Sequence, residues 1–135
     1  MRIMLDTNVL ISGFAFRSRS LMEMTRWITE RHQLVLSTYV IDELKEVVAR
    51  KAPGSIEALD AFIMRLPFEM CYTPEQIPEE LPFEIRDPDD AAVLYSAILA
   101  EADILITGDK DFADINIEKP EIMTPAQFME RYISR

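Results

Sequence analysis

The chain has 135 residues, of which 49% are hydrophobic, so it is long enough for one packed domain and too apolar for a disordered protein. Its single cysteine, Cys71, cannot form an internal disulfide. No apolar run approaches the roughly 20 residues of a transmembrane helix. Together these two observations predict a cytoplasmic protein with no membrane partner. The net charge of −10 arises in residues 54–135, which contain eighteen acidic and six basic residues. This part of the chain would repel a nucleic acid unless cations lay between the two.

Short apolar runs and helical spacings alternate along the first half of the chain. A short apolar run bounded by polar residues is typical of a buried parallel strand, whereas apolar residues three or four apart are typical of a helix packed on one face. On this basis we predict strands at 2–5, 34–36 and 68–72 and helices at 7–13, 18–31, 37–50 and 55–65.

The second half begins with a loop and then continues the alternation. Residues 73–87 contain three prolines and four glutamates, a composition typical of a loop. We predict a helix from Pro88 to about Glu101, strands at 104–106 and 121–123, and a terminal helix that starts at Thr124-Pro125. Strands that alternate with helices predict an α/β fold, in one domain over residues 1–135, whose parallel sheet is covered on both faces.

Polar side chains follow three of the predicted strands. Asp6 follows the first strand, Ser37 follows the second, and Thr107-Gly108-Asp109 follows the fourth, where Gly108 allows a tight or left-handed turn. Ligands of such sheets bind beyond the carboxyl ends of the strands. We therefore predict a functional site at this edge.

Two acids stand out by their position. An ionised Asp6 at the end of a buried strand is unfavourable unless it is paired, hydrogen-bonded or bound to a metal, although it would serve equally well as a helix cap. Glu43 borders the buried face of its predicted helix, about 100° from the middle of the apolar stripe. Asp42 and Glu46 lie about 160° from it and point to solvent. By itself, Glu43 would also fit a salt bridge on the helix flank.

Two further acidic segments have ordinary structural explanations when each is considered alone. Asp87-Pro-Asp-Asp90 opens the long helix, where acids cap the helix and interact with its dipole, and Asp90 can also point along the strand ends. Asp109 and Asp111 lie in a turn rich in Asp and Gly.

Taken together, these acids form a predicted cluster of carboxylates. Such a cluster suits Mg²⁺ or Mn²⁺, which can activate water for attack on a phosphodiester. One His and one Cys offer little to zinc.

Four motifs in order resemble the signature of the PIN-domain family: Met-Leu-Asp6-Thr-Asn, Ser37-Thr-x-x-x-x-Glu43-Leu, Asp87-Pro-Asp-Asp90 and Thr107-Gly-Asp109-Lys-Asp111-Phe. The closing Thr124-Pro-Ala-Gln-Phe resembles the end of the bacterial and archaeal toxin branch. The resemblance implies a three-layer α/β/α fold with a central parallel sheet of four to five strands. It also implies Mg²⁺- or Mn²⁺-dependent cleavage of RNA, often by a homodimer. Many members are VapC-type toxins of toxin–antitoxin pairs, silenced by a cognate antitoxin.

The resemblance also implies roles for individual residues. Asp6, Glu43, Asp90 and Asp109 match the four catalytic, metal-binding acids of the family, and Asp111 is an auxiliary metal ligand. The supporting residues Thr7, Asn8 and Thr107 would orient carboxylates or waters.

Two arginines are candidate RNA contacts. Residues 1–53 carry eight basic against six acidic residues, and Arg17 and Arg19 stand in a polar segment just after the first motif. They could guide RNA phosphates, or they could be ordinary exposed charges. An antitoxin that inserts a basic residue among the acids would be favoured electrostatically.

Other classes of protein fit the pattern less well. A PIN-like scaffold that binds a partner without nuclease activity is the non-enzymatic alternative. A metal-dependent phosphatase of the haloacid-dehalogenase type requires an Asp two residues after Asp6, where this chain has Asn8. A receiver domain requires an Asp at the end of a middle strand, where this chain has Cys71-Tyr72-Thr73.

Overall fold

All five predicted strands form, and they join one parallel sheet. In the computed structural model, which describes residues 1–133, the strands are β1 (Arg2–Leu5), β2 (Gln33–Ser37), β3 (Glu69–Cys71), β4 (Ile104–Ile106) and β5 (Glu121–Met123). They pair in the order β3-β2-β1-β4-β5. Residues 134 and 135, the last two of the predicted domain, lie outside the described residues.

The predicted helices also form, and residues 1–133 contain six of them. They are α1 (Thr7–Phe14), α2 (Arg19–Arg31), α3 (Thr38–Lys51), α4 (Ile56–Arg65), α5 (Pro88–Leu99) and α6 (Pro125–Tyr132). Two short 3₁₀ turns, Pro53–Ser55 and Lys110–Phe112, lie outside the sequence prediction because three residues carry no apolar periodicity. The result is a three-layer α/β/α fold, and residues 73–87 contain neither helix nor strand, as predicted.

The burial of each strand follows its place in the sheet. Ile3, Met4 and Leu5 in the central β1 are fully buried, and β4 is buried throughout. A strand covered on both faces has no side left for a polar residue, which explains the uninterrupted apolar runs. The edge strands carry polar residues instead, with Glu69 exposed in β3 and Glu121 exposed in β5.

The terminal helix is attached to the body of the protein by aromatic packing. Phe128 in α6 is fully buried, and its ring centroid lies 5.7 Å from that of Trp27 in α2, in an edge-on arrangement. Tyr132 adds a contact at 4.8 Å from the Phe128 ring. Thr124 and Gln127 form a reciprocal capping box at the start of α6, so the predicted Thr-Pro helix start is confirmed.

The order in which the chain adds strands to the sheet reverses between β1 and β4. The chain builds β1, β2 and β3 outward on one side, and then crosses to place β4 on the other side of β1. The Asp6 N–H donates to the Ile106 carbonyl at 3.0 Å, which brings the ends of β1 and β4 side by side. Such a switch point is where open α/β sheets bind ligands.

No helix among the described residues combines the length and the apolarity needed to cross a bilayer.

Candidate metal centre

Asp6 caps α1 and lies at the edge of the sheet where the sequence predicts a functional site. Its Oδ1 accepts a hydrogen bond from the Thr7 N–H at 2.7 Å, and its Oδ2 accepts one from the Thr107 hydroxyl at 2.8 Å. The side chain is buried, and burial raises the pKa of Asp6; the charge of Asp109 adds to the rise, and the two hydrogen bonds oppose it. The two roles considered from the sequence, helix cap and site residue, are therefore compatible.

Thr107 links the acid after β1 to the acid after β4. Its hydroxyl donates to Asp6, and the same oxygen accepts the Asp109 N–H at 3.1 Å. A threonine hydroxyl can donate once while accepting, so one buried side chain orients two acidic residues. Gly108 between them does not adopt a left-handed conformation, since no glycine in residues 1–133 has a positive φ. The turn is made by the Thr107 hydroxyl instead.

Three acids lie close enough together to share a cation. Asp90, Asp109 and Asp111 each offer a carboxylate oxygen, and these oxygens lie within 4.8 Å of one another. Asp90 is the third residue of α5, as predicted, and Asp109 caps the 3₁₀ turn by accepting the Asp111 N–H at 2.9 Å. The turn thereby brings Asp111 into the group.

Asp90 has the burial and the electrostatics expected of a metal ligand. Its side chain is only 8% exposed, and no described residue hydrogen-bonds to its Oδ2. Burial raises the pKa of Asp90 to about 7, and the negative charges of Asp109, Asp87 and Asp6 add to this effect. A buried carboxylate oxygen without a donor is unfavourable, and a bound cation would satisfy it. The observed residues therefore fit a divalent cation.

Glu43 lies near Asp6 and outside the three-acid cluster. It is half-buried, whereas Asp42 and Glu46 are exposed, which confirms the helix-phase prediction. Burial raises the pKa of Glu43, with further contributions from the charges of Asp6 and Asp89. The Thr7 hydroxyl lies close enough to oppose part of that rise, although it makes no full hydrogen bond with a described residue.

The structure does not bring every predicted site residue to the acids. Asn8 is exposed, and its side chain makes no hydrogen bond within residues 1–133. Arg17 and Arg19 are also exposed and form no ion pair with a described residue; Arg17 has a positive φ of 49°. Their role as RNA contacts stays a prediction.

Two basic residues at the site were missed by sequence reasoning. Lys110 and Arg86 line one cleft together with Asp111. Their signal in the sequence is adjacency: Arg86 directly precedes the Asp87 motif, and Lys110 stands between Asp109 and Asp111. A search for basic residues next to the acidic motifs would have found both.

Comparison with known proteins gives one family and several similar folds. The family model described as "PIN domain" matches residues 2–111. No curated protein sequence is significantly similar to the chain.

Three solved structures of bacterial VapBC complexes contain chains of similar fold. The Rickettsia felis VapBC2 structure, bound to a promoter DNA fragment, is 18% identical with a TM-score of 0.68, over 91% of this chain and 97% of that chain. The DNA-bound Salmonella typhimurium VapBC structure is 17% identical with a TM-score of 0.69, over 93% and 98%. VapBC-1 from nontypeable Haemophilus influenzae is 21% identical with a TM-score of 0.66, over 93% and 99%. At these identities the similarity shows a shared fold.

Proposed function

Because the chain belongs to the PIN domain family, we propose that it is an endoribonuclease that hydrolyses RNA phosphodiester bonds with Mg²⁺ or Mn²⁺. The observation that carries the proposal is the group formed by Asp90, Asp109 and Asp111, whose oxygens lie within 4.8 Å of one another at the switch point of the sheet. Carboxylate oxygens are the ligands that Mg²⁺ and Mn²⁺ prefer, and the group contains neither His nor Cys.

We assign the acids complementary roles. Asp90, Asp109 and Asp111 would hold the cation, and Asp6 would complete the site from the end of β1 with its orientation set by Thr107. When bound, a divalent cation lowers the pKa of a coordinated water and neutralises charge on the phosphate. Glu43 lies near Asp6 and has a raised pKa, so its carboxylate is a stronger base than that of an ordinary glutamate. It can accept the proton that the attacking water loses.

Cleavage by the purified protein tests this proposal. Incubation with mixed RNA is expected to give products with Mn²⁺ or Mg²⁺ and none with a chelator. Asp6→Asn is expected to lower the cleavage rate at least ~100-fold, because it removes a charge beside the cation. Asp42→Asn makes the same chemical change at an exposed position and serves as the matched control. Equal activity in wild type and Asp6→Asn would mean a contaminating nuclease, and complete inactivity would favour a binding scaffold.

Thr107 tests whether the hydrogen-bond link between the acids matters. Thr107→Val keeps the branched shape but removes the hydroxyl, so both Asp6 and Asp109 lose an oriented partner. We expect a loss of roughly 10- to 100-fold in kcat/KM for RNA and a weaker apparent affinity for Mn²⁺. Thr107→Ser restores the hydroxyl and should recover most of both. A valine variant with wild-type metal affinity would contradict the role assigned to this hydroxyl.

We further propose that the chain is the toxin of a toxin–antitoxin pair and that it acts in the cytoplasm. The shared fold with chains of VapBC complexes supports an antitoxin partner, and the acidic cluster would attract a basic side chain from it. Homodimer formation stays part of the proposal.

Growth arrest tests the toxin proposal. Inducible expression of the wild-type protein or of Asp42→Asn is expected to arrest the growth of the expressing cells, whereas expression of Asp6→Asn is not. Arrest that persists in Asp6→Asn would contradict a toxin that acts by cleavage.

A further inference from the structure

A cavity of about 370 Å³ opens directly beside the acidic cluster. It lies between the carboxyl ends of β4 and β5, the 3₁₀ turn and the start of α6, and Asp109 forms part of its wall. Its volume lies within the roughly 300–1,000 Å³ of small-molecule pockets. A group seated in this cavity would therefore be adjacent to a phosphate held at the acids.

The cavity wall is mostly apolar. Phe112 and Met123 are buried in its floor, and Ile115, Ile117 and Ile122 are half-buried around it. A flat ring gains from apolar contact on its faces, whereas a phosphate or a hydrated sugar does not. The walls suit a nucleobase better than the polar parts of a nucleotide.

The rim of the cavity offers a polar group to the edge of such a ring. Gln127 lines the cavity, and its Oε1 accepts the Thr124 N–H at 2.9 Å as part of the capping box. This bond fixes which end of the amide is the oxygen, so Nε2 keeps two N–H donors that no described residue accepts. Bases present carbonyl and ring-nitrogen acceptors on their edges.

Lys110 lies at the boundary between this cavity and the cleft beside Asp111. It lines the cavity and also the neighbouring cleft, whose other charged residues are Arg86, Glu84, Asp111 and Asp114. Lys119 and Arg131 are engaged in ion pairs with Asp103 and Glu121, whereas Lys110 and Arg86 form none within residues 1–133. Unpaired basic side chains next to a cation site, in the acidic part of the chain, are placed to contact a phosphate chain.

We infer that this cavity is the base-binding subsite for the nucleotide next to the cleaved bond, with Lys110 contacting that nucleotide's phosphate. The inference rests on the proposed ribonuclease function and adds its specificity-determining element. The base packs on Ile117 and Ile122, and Gln127 Nε2 donates to its edge. Arg17 and Arg19 are not needed for this contact.

Binding of mononucleotides tests the subsite independently of cleavage. Amide NMR spectra of the wild-type protein with Mg²⁺ are titrated with AMP, GMP, CMP, UMP and inorganic phosphate. At least one nucleotide is expected to shift amides in residues 108–117 and 121–127, beyond the shifts from phosphate alone. Ala113 is exposed and lines the cavity, so Ala113→Trp should fill the space and abolish these shifts. Ala126→Trp, an exposed change in α6 that does not line the cavity, should retain them.

A second variant and a second readout cover the case in which tryptophan perturbs the turn. Lys110→Gln removes only the charge and is expected to weaken nucleotide binding about tenfold, with the pattern of shifted amides unchanged. In RNA cleavage, Ala113→Trp is expected to lower kcat/KM roughly 10-fold or more and to change the nucleotide preferred beside the cleaved bond.

The outcomes separate this inference from the proposed function. Cleavage without nucleotide-specific shifts, or shifts that survive Ala113→Trp, would overturn the subsite while leaving the ribonuclease in place. Absence of cleavage by wild type would overturn the ribonuclease itself.

Discussion

Replacing Asp90 with asparagine is expected to lower RNA cleavage ~10³-fold while raising the melting temperature of the metal-free protein by several degrees. Both effects follow from one feature. The Asp90 carboxylate is buried among like charges, and its Oδ2 has no hydrogen-bond donor among the described residues. That arrangement is favourable for a protein with a bound cation and unfavourable for one without it. Asparagine has nearly the same shape and carries no charge, so it removes the repulsion together with the ligand.

The measurement pairs cleavage rates with thermal unfolding in a chelating buffer at pH 8. Asp42→Asn is the matched control, because it makes the same chemical change at an exposed position of α3. It should leave both cleavage and the melting temperature near the wild-type values. Loss of cleavage accompanied by a lower melting temperature in Asp90→Asn would indicate a structural role for Asp90 and would count against the metal centre.

The metal-free protein is expected to lose stability as the pH rises toward neutrality, and a divalent cation should reverse the trend. The folded-state pKa of Asp90 is raised to about 7, whereas an unfolded chain has an ordinary Asp pKa near ~3.9. A raised folded-state pKa means that the folded protein binds the proton more tightly than the unfolded one. The contribution of Asp90 to the free energy of unfolding is therefore fully present below about pH 4 and is lost as the pH rises through about 7.

Comparison with Asp90→Asn isolates this effect. The pKa of Asp103 is lowered by a hydrogen bond from the Arg2 N–H, so Asp103 contributes stability that is lost in acid, but this term is common to both proteins. The difference in unfolding free energy, wild type minus variant, should fall by up to about 1.4 kcal/mol per pH unit between pH 5 and 7.

Urea denaturation at pH 5, 6, 7 and 8, with and without Mn²⁺, provides the measurement. Saturating Mn²⁺, at ~100 times its Kd, should add about 2.7 kcal/mol to wild type. The gain should be larger at pH 8 than at pH 5, because metal ligands must be deprotonated. A difference that does not change with pH, or equal stabilisation of the variant by Mn²⁺, would contradict a cation site built around Asp90.

The fold follows from local patterns to an unusual extent in this chain. The central strands are short apolar runs because they are covered on both faces, and every helix except α4 has a side-chain cap at its start, such as Ser37 before α3 and Asp87 before α5. The observed β3 is shorter than its predicted range of 68–72. The position of Glu43 was also predictable, because helix geometry alone separates it from Asp42 and Glu46.

Other features depended on distant contacts. Asp111 is predicted as an auxiliary ligand, and its oxygen lies within 4.8 Å of those of Asp90 and Asp109 because a 3₁₀ turn capped by Asp109 places it there, although the residue is exposed. Gly108 is expected to allow a tight or left-handed turn; the left-handed alternative is wrong, and the Thr107 hydroxyl accepts the Asp109 N–H across the turn. Lys110 and Arg86 line the same cleft although they are 24 positions apart in the sequence, and no local pattern predicts that proximity.

The amino-acid sequence by itself determined which acids stand at the ends of strands and on which side of its own helix each one lies. These properties depend on the fixed repeat of a strand or a helix, which a single segment contains. The tertiary structure alone decided that Asp90 meets Asp109 and Asp111, that its Oδ2 is left without a donor, and that an apolar cavity opens beside them. Those properties depend on how α5, the turn after β4 and α6 pack together. Packing sets distances and burial between segments, and through them the pKa values on which the proposed chemistry depends.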